Sequence, residues 1–510
     1  MMGATLLSKL LGMARSILFS GPYGTGDCAT AFTTASRIPL SFFDMLFSAA
    51  ILGCFIPVYN SFSREREKEA DEFACIFLNA VLLLTGALAA IGIIFAENII
   101  SLIAPALNSE VSALAASLLR IMFPMIIFTG GTYTLVGVMQ SRGAFILPAM
   151  ISTISNVGVV FYLLVLNGRL GSNGIFGLAI AYTASWLIQF ATLAIPLVRS
   201  GFRFKAIFKF RSPEFIKTLK MAPPIMIGSW LAPIGILLGT YFASFLAVPG
   251  AISVFDYSYN IYVIIAGTLT YSICNFVFPS LSRLAAEGDE TGFNSTVKKG
   301  LTTTLFIVIP FMAAVFVLAG EGVSILYQRG EFNELSVKNT ALVLRYMALA
   351  MPAFVMIELI NRVFYAKSKV NIPMLAAIFG VVSNAVFSYI FTRHTNIGLA
   401  SIGIGNAVGQ IAAALFLIVA LALKIKRIID RELITTVIKI FISGTVSSAI
   451  MICVYRFISN TPFDGNILKN ILTCIIVFAS GVITYIAIAA ILKIKLTDRK
   501  KEAKIIEQQK

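Results

Sequence analysis

Ser8-Lys9-Leu10-Leu11-Gly12-Met13-Ala14-Arg15-Ser16-Ile17-Leu18-Phe19 opens an apolar run that carries two cations, and the next apolar run carries Arg37 and Asp44. In hydrocarbon each such charge costs about 2.5–3.5 kcal/mol on insertion scales, so these side chains are expected to face a protein-lined, watery interior. The stretch reads as two spanning helices that wall a polar cavity. The remainder of the chain is of the same kind. It has 510 residues, 58% of them hydrophobic, and a mean hydropathy of +0.90. Its apolar runs are far longer than a soluble core helix needs. Only helices and closed barrels satisfy their backbone groups in lipid, and continuous apolar runs without strand-like alternation select helices. The expected fold class is therefore an all-α membrane protein.

Cutting the chain at polar, Gly-rich or Pro-rich breaks gives about fourteen spans. They centre on residues 4–22, 29–59, 75–104, 112–140, 146–167, 174–198, 217–247, 253–281, 300–327, 337–366, 373–392, 397–423, 433–457 and 468–493. The net charge of +16 falls unevenly on the connections. Alternate loops hold Arg64, Arg66, Lys68 and Arg142, the cluster from Arg199 to Lys220, then Arg283, Lys298, Lys299, Lys367, Lys369, Lys424, Lys426, Arg427 and Arg431, and the tail from Lys493. The intervening loops hold Arg169, Arg329, Arg393, Arg456 and Lys469. Basic loops face the cytoplasm, so both termini are expected there, in a multi-pass cell membrane protein. The same distribution reads as an orientation signal and not as a nucleic-acid surface.

The sequence also repeats itself. Cys54-Phe55-Ile56-Pro57-Val58-Tyr59 and Val277-Phe278-Pro279-Ser280-Leu281 each lead from an apolar span into a polar loop. Gln140-Ser141-Arg142, followed by Pro148 and Ser155-Asn156, is matched by Tyr365-Ala366-Lys367, followed by Pro373 and Ser383-Asn384. Six helices separate each pair, and an even number implies a parallel repeat about an axis along the membrane normal. The expected plan is two six-helix lobes plus two C-terminal helices. Its boundaries are an N-terminal lobe at 1–198, a basic cytoplasmic linker at 199–216, a second lobe at 217–423, two further helices within 424–493, and a basic tail at 494–510. In the linker region Arg203, Lys205, Lys209 and Arg211 alternate with Phe202, Phe204, Phe208 and Phe210, either as an inner-leaflet contact or as a plain positive-inside connection.

Chemistry-bearing residues are sparse. The six cysteines form no CxxC pair, and His394 is the only histidine. No phosphate-binding glycine loop, nucleophile with its base, or metal-ligand cluster is present in the pattern, so neither an enzyme nor a cofactor is expected. What remains is a set of charges within apolar spans. Lys9 and Arg15 lie nearly two turns apart on the first helix, suited to an anionic headgroup or, for Lys9, to snorkelling. Arg37 joins them or pairs with Asp44 two turns along. Glu358 and Arg362 have the i,i+4 spacing of an intrahelical ion pair. Asp256 is either interfacial or a coupling carboxylate.

Taken together, Ser8 to Arg15, Ala31-Phe32, Ile38-Pro39, Phe55-Ile56-Pro57-Val58, Gly137 to Pro148, Phe278-Pro279-Ser280-Leu281-Ser282-Arg283, Tyr327-Gln328-Arg329-Gly330-Glu331-Phe332 and Phe364-Tyr365-Ala366-Lys367 resemble, in order and spacing, the MurJ/MviN family. These are the lipid II flippases of bacterial peptidoglycan synthesis, within the multidrug/oligosaccharidyl-lipid/polysaccharide exporter superfamily. The resemblance covers essentially the whole chain. It implies fourteen helices, an electropositive central cavity for a diphosphate-sugar headgroup, and headgroup roles for Lys9 and Arg15. The last two helices, within 424–493, are expected to form a groove for the lipid tail. Asn260 stands where the family has a cavity arginine on the eighth helix, Asn384 matches an eleventh-helix ion ligand, and Gly239 and Ser388 replace aspartates of sodium-binding members.

The function expected is movement of a polyprenyl-diphosphate-linked sugar, first of all lipid II, from the inner to the outer leaflet by alternating access. The driving force would be a coupling ion or the membrane potential. Cell-wall synthesis proteins are the expected protein partners. Other readings are a flippase for an exopolysaccharide or teichoic-type precursor, a drug or cation antiporter, and a non-transporting cell-wall scaffold.

Overall fold

The computed structural model describes residues 2–43, 47–48, 51–62, 66–425, 428–459 and 467–494. Among these residues the chain is helical with no strand. Among the described residues nine helices are long and apolar enough to cross a membrane, or ten when the bent pair Glu334–Ala348 and Met351–Ala366 is counted as one span. Two compact units divide the chain. The first comprises Met1–Ser253 with Arg329–Asn333, and the second comprises Val254–Gln328 with Glu334–Lys510.

The first unit begins with α1 (Met2–Tyr23) and α2 (Asp27–Ser36), which continues into a π-helical turn over Arg37–Phe43. Then come α3 (Glu67–Ile94), α4 (Ser109–Met122), α5 (Met125–Ser141), α6 (Ile151–Phe161), α7 (Gly174–Arg199) and α8 (Pro213–Ser244). The sequence pattern assigned the last of these to the second lobe. In the structure α8 packs against Arg37–Phe43, Ile51–Phe55 and Ala96–Ile103, all within the first unit. The reason is local. Ser212 caps α8 directly after a short connection, and Phe215 joins the aromatic cluster of Phe77 and Phe210. Gly250 and the segment Arg329–Asn333 also close on the first unit. The Glu331 N–H donates to the Gly21 carbonyl at 2.8 Å, and a Cβ at Gly250, whose φ is +76°, would stand 2.0 Å from the Thr25 carbonyl oxygen.

The second unit holds α9 (Ala251–Glu287), α10 (Glu290–Val317), α11 (Ala319–Tyr327), α12 (Glu334–Ala348), α13 (Met351–Ala366), α14 (Asn371–His394), α15 (Ala400–Lys424), α16 (Arg431–Ser459) and α17 (Ile467–Ile491). Hydrophobicity does not drive helices together in lipid, so their seams rely on small residues and interhelical hydrogen bonds. The α14/α15 seam follows that rule. A Cβ on Gly405 would meet Ser388 Oγ at 2.0 Å, and one on Gly409 would meet Asn384 Cβ at 2.6 Å. Between α16 and α17 the Ser447 hydroxyl donates to the Gly481 carbonyl at 2.8 Å.

The repeat read from sequence has a counterpart in the geometry of each unit. In the first, α5 follows a break at Phe123-Pro124 and ends where the Ala144 N–H bonds the Met139 carbonyl, with Gly143 at φ +83°. In the second, α13 follows a break at Leu349-Ala350 and ends where the Lys369 N–H bonds the Phe364 carbonyl, with Ser368 at φ +56°. Both are Schellman-type endings. At each ending a cation meets a carboxylate and a ring. Arg142 pairs with Asp71 and covers Phe202, while Lys367 pairs with Glu290 and covers Phe293.

Candidate functional site

In the first unit the cationic residues of the opening stretch are held by groups far away in sequence. Arg15 Nη1 donates to Asn156 Oδ1 at 2.9 Å, and Asn156 Nδ2 donates back to the Ser8 carbonyl at 3.3 Å. Asn156, on α6, is only 7% exposed. The Arg15 guanidinium also lies over the Tyr182 ring, 5.3 Å from its centroid. Tyr182 in turn stacks on Trp186 at 5.9 Å and meets Phe32 edge-on at 5.2 Å. A guanidinium has five N–H donors in a fixed fork. Only one of them finds a protein acceptor among the described residues, and none of the others is sealed from solvent. The arrangement fixes the plane of the cation while leaving donors for an anionic ligand, which suits bidentate phosphate recognition.

Lys9 is exposed on the same helix, beside the Ser8 carbonyl that Asn156 holds. Arg37 is buried, 6% exposed, at the start of the π-helical turn. Its suggested partner Asp44 lies outside the described residues. Sequence reading marked Asn156 only as part of the repeat, and passed over Tyr182. No local signal joins either one to Arg15, because the contacts span α1, α6 and α7.

In the second unit Asp256 and Asn260 meet one turn apart on α9, where Asn260 Nδ2 donates to Asp256 Oδ2 at 3.1 Å. On α13, Arg362 Nη2 stands 4.0 Å from Glu358 Oε2, and the guanidinium lies 5.8 Å from the centre of the Phe278 ring. Both side chains of this pair are about one quarter exposed, at 22% and 27%. Asn384 is buried in the α14/α15 seam and accepts from the Ser388 hydroxyl at 2.9 Å. That bond lies within α14 and engages the Asn384 Oδ1. Among the described residues no group of three His, Cys, Asp or Glu side chains is placed to hold a metal ion. The same unit contains an apolar cavity of about 360 Å³, walled by Ile261, Ile265, Phe311, Leu318, Cys474 and Phe478.

Two units built of long apolar helices, each ending its matched helix on a cation that meets a carboxylate and a ring, define a polytopic α-helical membrane protein. The sequence profile described as "Lipid II flippase MurJ" matches residues 20–497. The chain belongs to the MurJ lipid II flippase family. It is 27% identical over 504 residues to the "Probable lipid II flippase MurJ" of Buchnera aphidicola subsp. Acyrthosiphon pisum, covering 96% of each chain. With the protein of the same description from Vibrio cholerae it shares 25% identity over 508 residues, 97% of this chain and 95% of that one. A solved structure titled "Lipid II flippase MurJ, inward closed conformation" superimposes with a TM-score of 0.80 at 23% identity, covering 96% of this chain and 97% of that one. An inward-facing multidrug resistance MATE family transporter of the MOP superfamily superimposes at 0.69, with 17% identity over 82% of this chain and 95% of that one. These superpositions establish the fold.

Proposed function

We propose that this multi-pass bacterial membrane protein is a lipid II flippase that grips the diphosphate of its cargo with Arg15 and Lys9, and carries it across the membrane by alternating access. The observation that carries the assignment of the grip is the guanidinium of Arg15, held in plane by Asn156 and Tyr182 with its remaining donors open. A diphosphate cannot be left bare in a low-dielectric interior, and an oriented guanidinium supplies both charge and paired donors. Arg37 and Arg362 add positive potential in their own units, Arg362 softened by Glu358. Asn260 and Asp256 satisfy one another, which argues for positioning over charge transfer at α9.

The polyprenyl tail belongs against the apolar cavity that α17 forms with α9, α10, α11 and α12, in keeping with a tail groove at the C-terminal helices. Both termini and the basic loops face the cytoplasm in this reading. Membrane potential supplies a driving force, since one charge crossing 100 mV is worth about 2.3 kcal/mol. Cell-wall synthesis proteins are the natural protein partners. The test is complementation. Expression of this chain in a bacterium depleted of its own lipid II flippase restores growth, and the Arg15→Glu variant, inserted at equal level, does not. Equal rescue by both would remove Arg15 from the mechanism.

A further inference from the structure

Between α7 and α8 the chain runs without helix, yet it is no loose tether. Phe202 is 1% exposed beneath the Arg142 guanidinium. From there the strap follows α3. The Cys75 thiol donates to the Arg203 carbonyl at 3.4 Å, and Asn79 Nδ2 donates to the carbonyls of Lys205 and Ile207 at 2.8 and 3.1 Å. It then returns to Glu72, which accepts from Lys209 Nζ at 2.7 Å. Asp71, on the same helix, pairs with Arg142 at the end of α5. Asn79 lies two helical turns further along α3, about 12 Å along the axis. The strap therefore follows α3 from the level of Arg142 to that of Asn79 and comes back to Glu72.

Backbone outside a helix or sheet still needs partners for its carbonyls. Asn79 and Cys75 provide them. Because the strap is held by its carbonyls, Arg203, Phe204, Lys205, Phe208 and Arg211 stand exposed, with Phe204 at 40% and Phe208 at 57%. Among the described residues Arg203 and Arg211 have no carboxylate partner. Exposed rings with cations beside them match a surface that inserts apolar groups below the headgroups and pairs charge with anionic phosphates.

We infer that the strap 202–211 is an interfacial anchor that binds acidic phospholipid headgroups of the leaflet at the Arg142 end of α5. The anchor is a property of the first unit and does not depend on which lipid-linked glycan is the cargo. The full-length protein is placed in nanodiscs of phosphatidylcholine alone, or of phosphatidylcholine with phosphatidylglycerol in equal parts, and hydrogen exchange is read in peptides covering 200–212. Phosphatidylglycerol is expected to slow exchange there by at least about fivefold, the scale of attraction for one interfacial cation. Arg203→Gln/Lys205→Gln/Arg211→Gln returns the strap to its rate in phosphatidylcholine, whereas Arg203→Lys/Arg211→Lys keeps the slowing. Peptides from α7 report whether each variant is folded. Equal exchange of the wild-type strap in the two lipid compositions overturns the inference, as does slowing that survives removal of the three charges. If the triple variant fails to fold, the wild-type comparison alone decides.

Discussion

Arg15 keeps its orientation through one hydrogen bond and one aromatic face, and these two contacts determine what substitutions there do. A charge-assisted hydrogen bond is worth about 1.5–3 kcal/mol, so Arg15→Gln is expected to slow lipid II translocation in reconstituted vesicles by about 10- to 100-fold. Arg15→Lys keeps the charge but loses the planar fork, and falls between the two. Asn156→Ala leaves the guanidinium in place without its tether, so the half-saturating lipid II concentration rises more than the maximal rate falls. If Arg15→Lys translocates like wild type, the oriented fork is irrelevant. A second residue prediction concerns Ser368, which occupies the left-handed region that Gly143 occupies in the first unit. Ser368→Gly relieves that strain and is expected to stabilise the protein by about 0.5–1 kcal/mol, read as a higher melting temperature in detergent.

At the scale of elements, the seams and helix starts carry the predictions. Gly409→Ala places a methyl against Asn384 and the Gly380 carbonyl, both under 3 Å away, so α14 and α15 must separate. The outcome is a lower melting temperature and poorer insertion, measured by detergent-resistant yield. At the start of α16, Asp430 caps the helix by accepting from the Leu433 N–H at 2.9 Å and also pairs with Lys298. Partial burial alone would raise its carboxyl pKa, but the Lys298 hydrogen bond and the Leu433 N–H outweigh it and hold the pKa below the usual aspartate value. A carboxylate depressed in the folded state adds stability above its unfolded pKa, and that stability is lost as pH falls through the folded value. The Asp430→Asn variant should therefore match wild type at low pH and trail it slightly at neutral pH. Asp430→Ala also loses the cap and costs about 1 kcal/mol. Identical melting profiles for wild type and Asp430→Asn at both pH values would show the ion pair to be idle. The helices themselves were legible because long apolar runs allow nothing else in lipid, and the repeat was legible at Arg142 and Lys367 because each ends its helix on a cation. The Asn156 and Tyr182 supports of Arg15 were not, since they depend on which face of α6 and α7 turns toward α1. Assignment of α8 to the first unit was likewise hidden, because its packing rests on the aromatic cluster around Phe215 and not on its own composition.

For the whole molecule, the charge asymmetry of the loops predicts an orientation and membership of the MurJ family gives the task, movement of lipid II across the membrane. Reporter fusions after residue 199–212 and after His394 should report opposite sides of the membrane; the same side for both would break the orientation argument. The central claim concerns the cargo, and depletion of the protein in its own host followed by quantification of lipid II on each leaflet addresses it most directly. The account predicts accumulation of lipid II on the cytoplasmic leaflet, with growth arrest, reversed by the wild-type chain but not by Arg15→Glu. Lipid II that stays evenly accessible at the outer leaflet after depletion would contradict it.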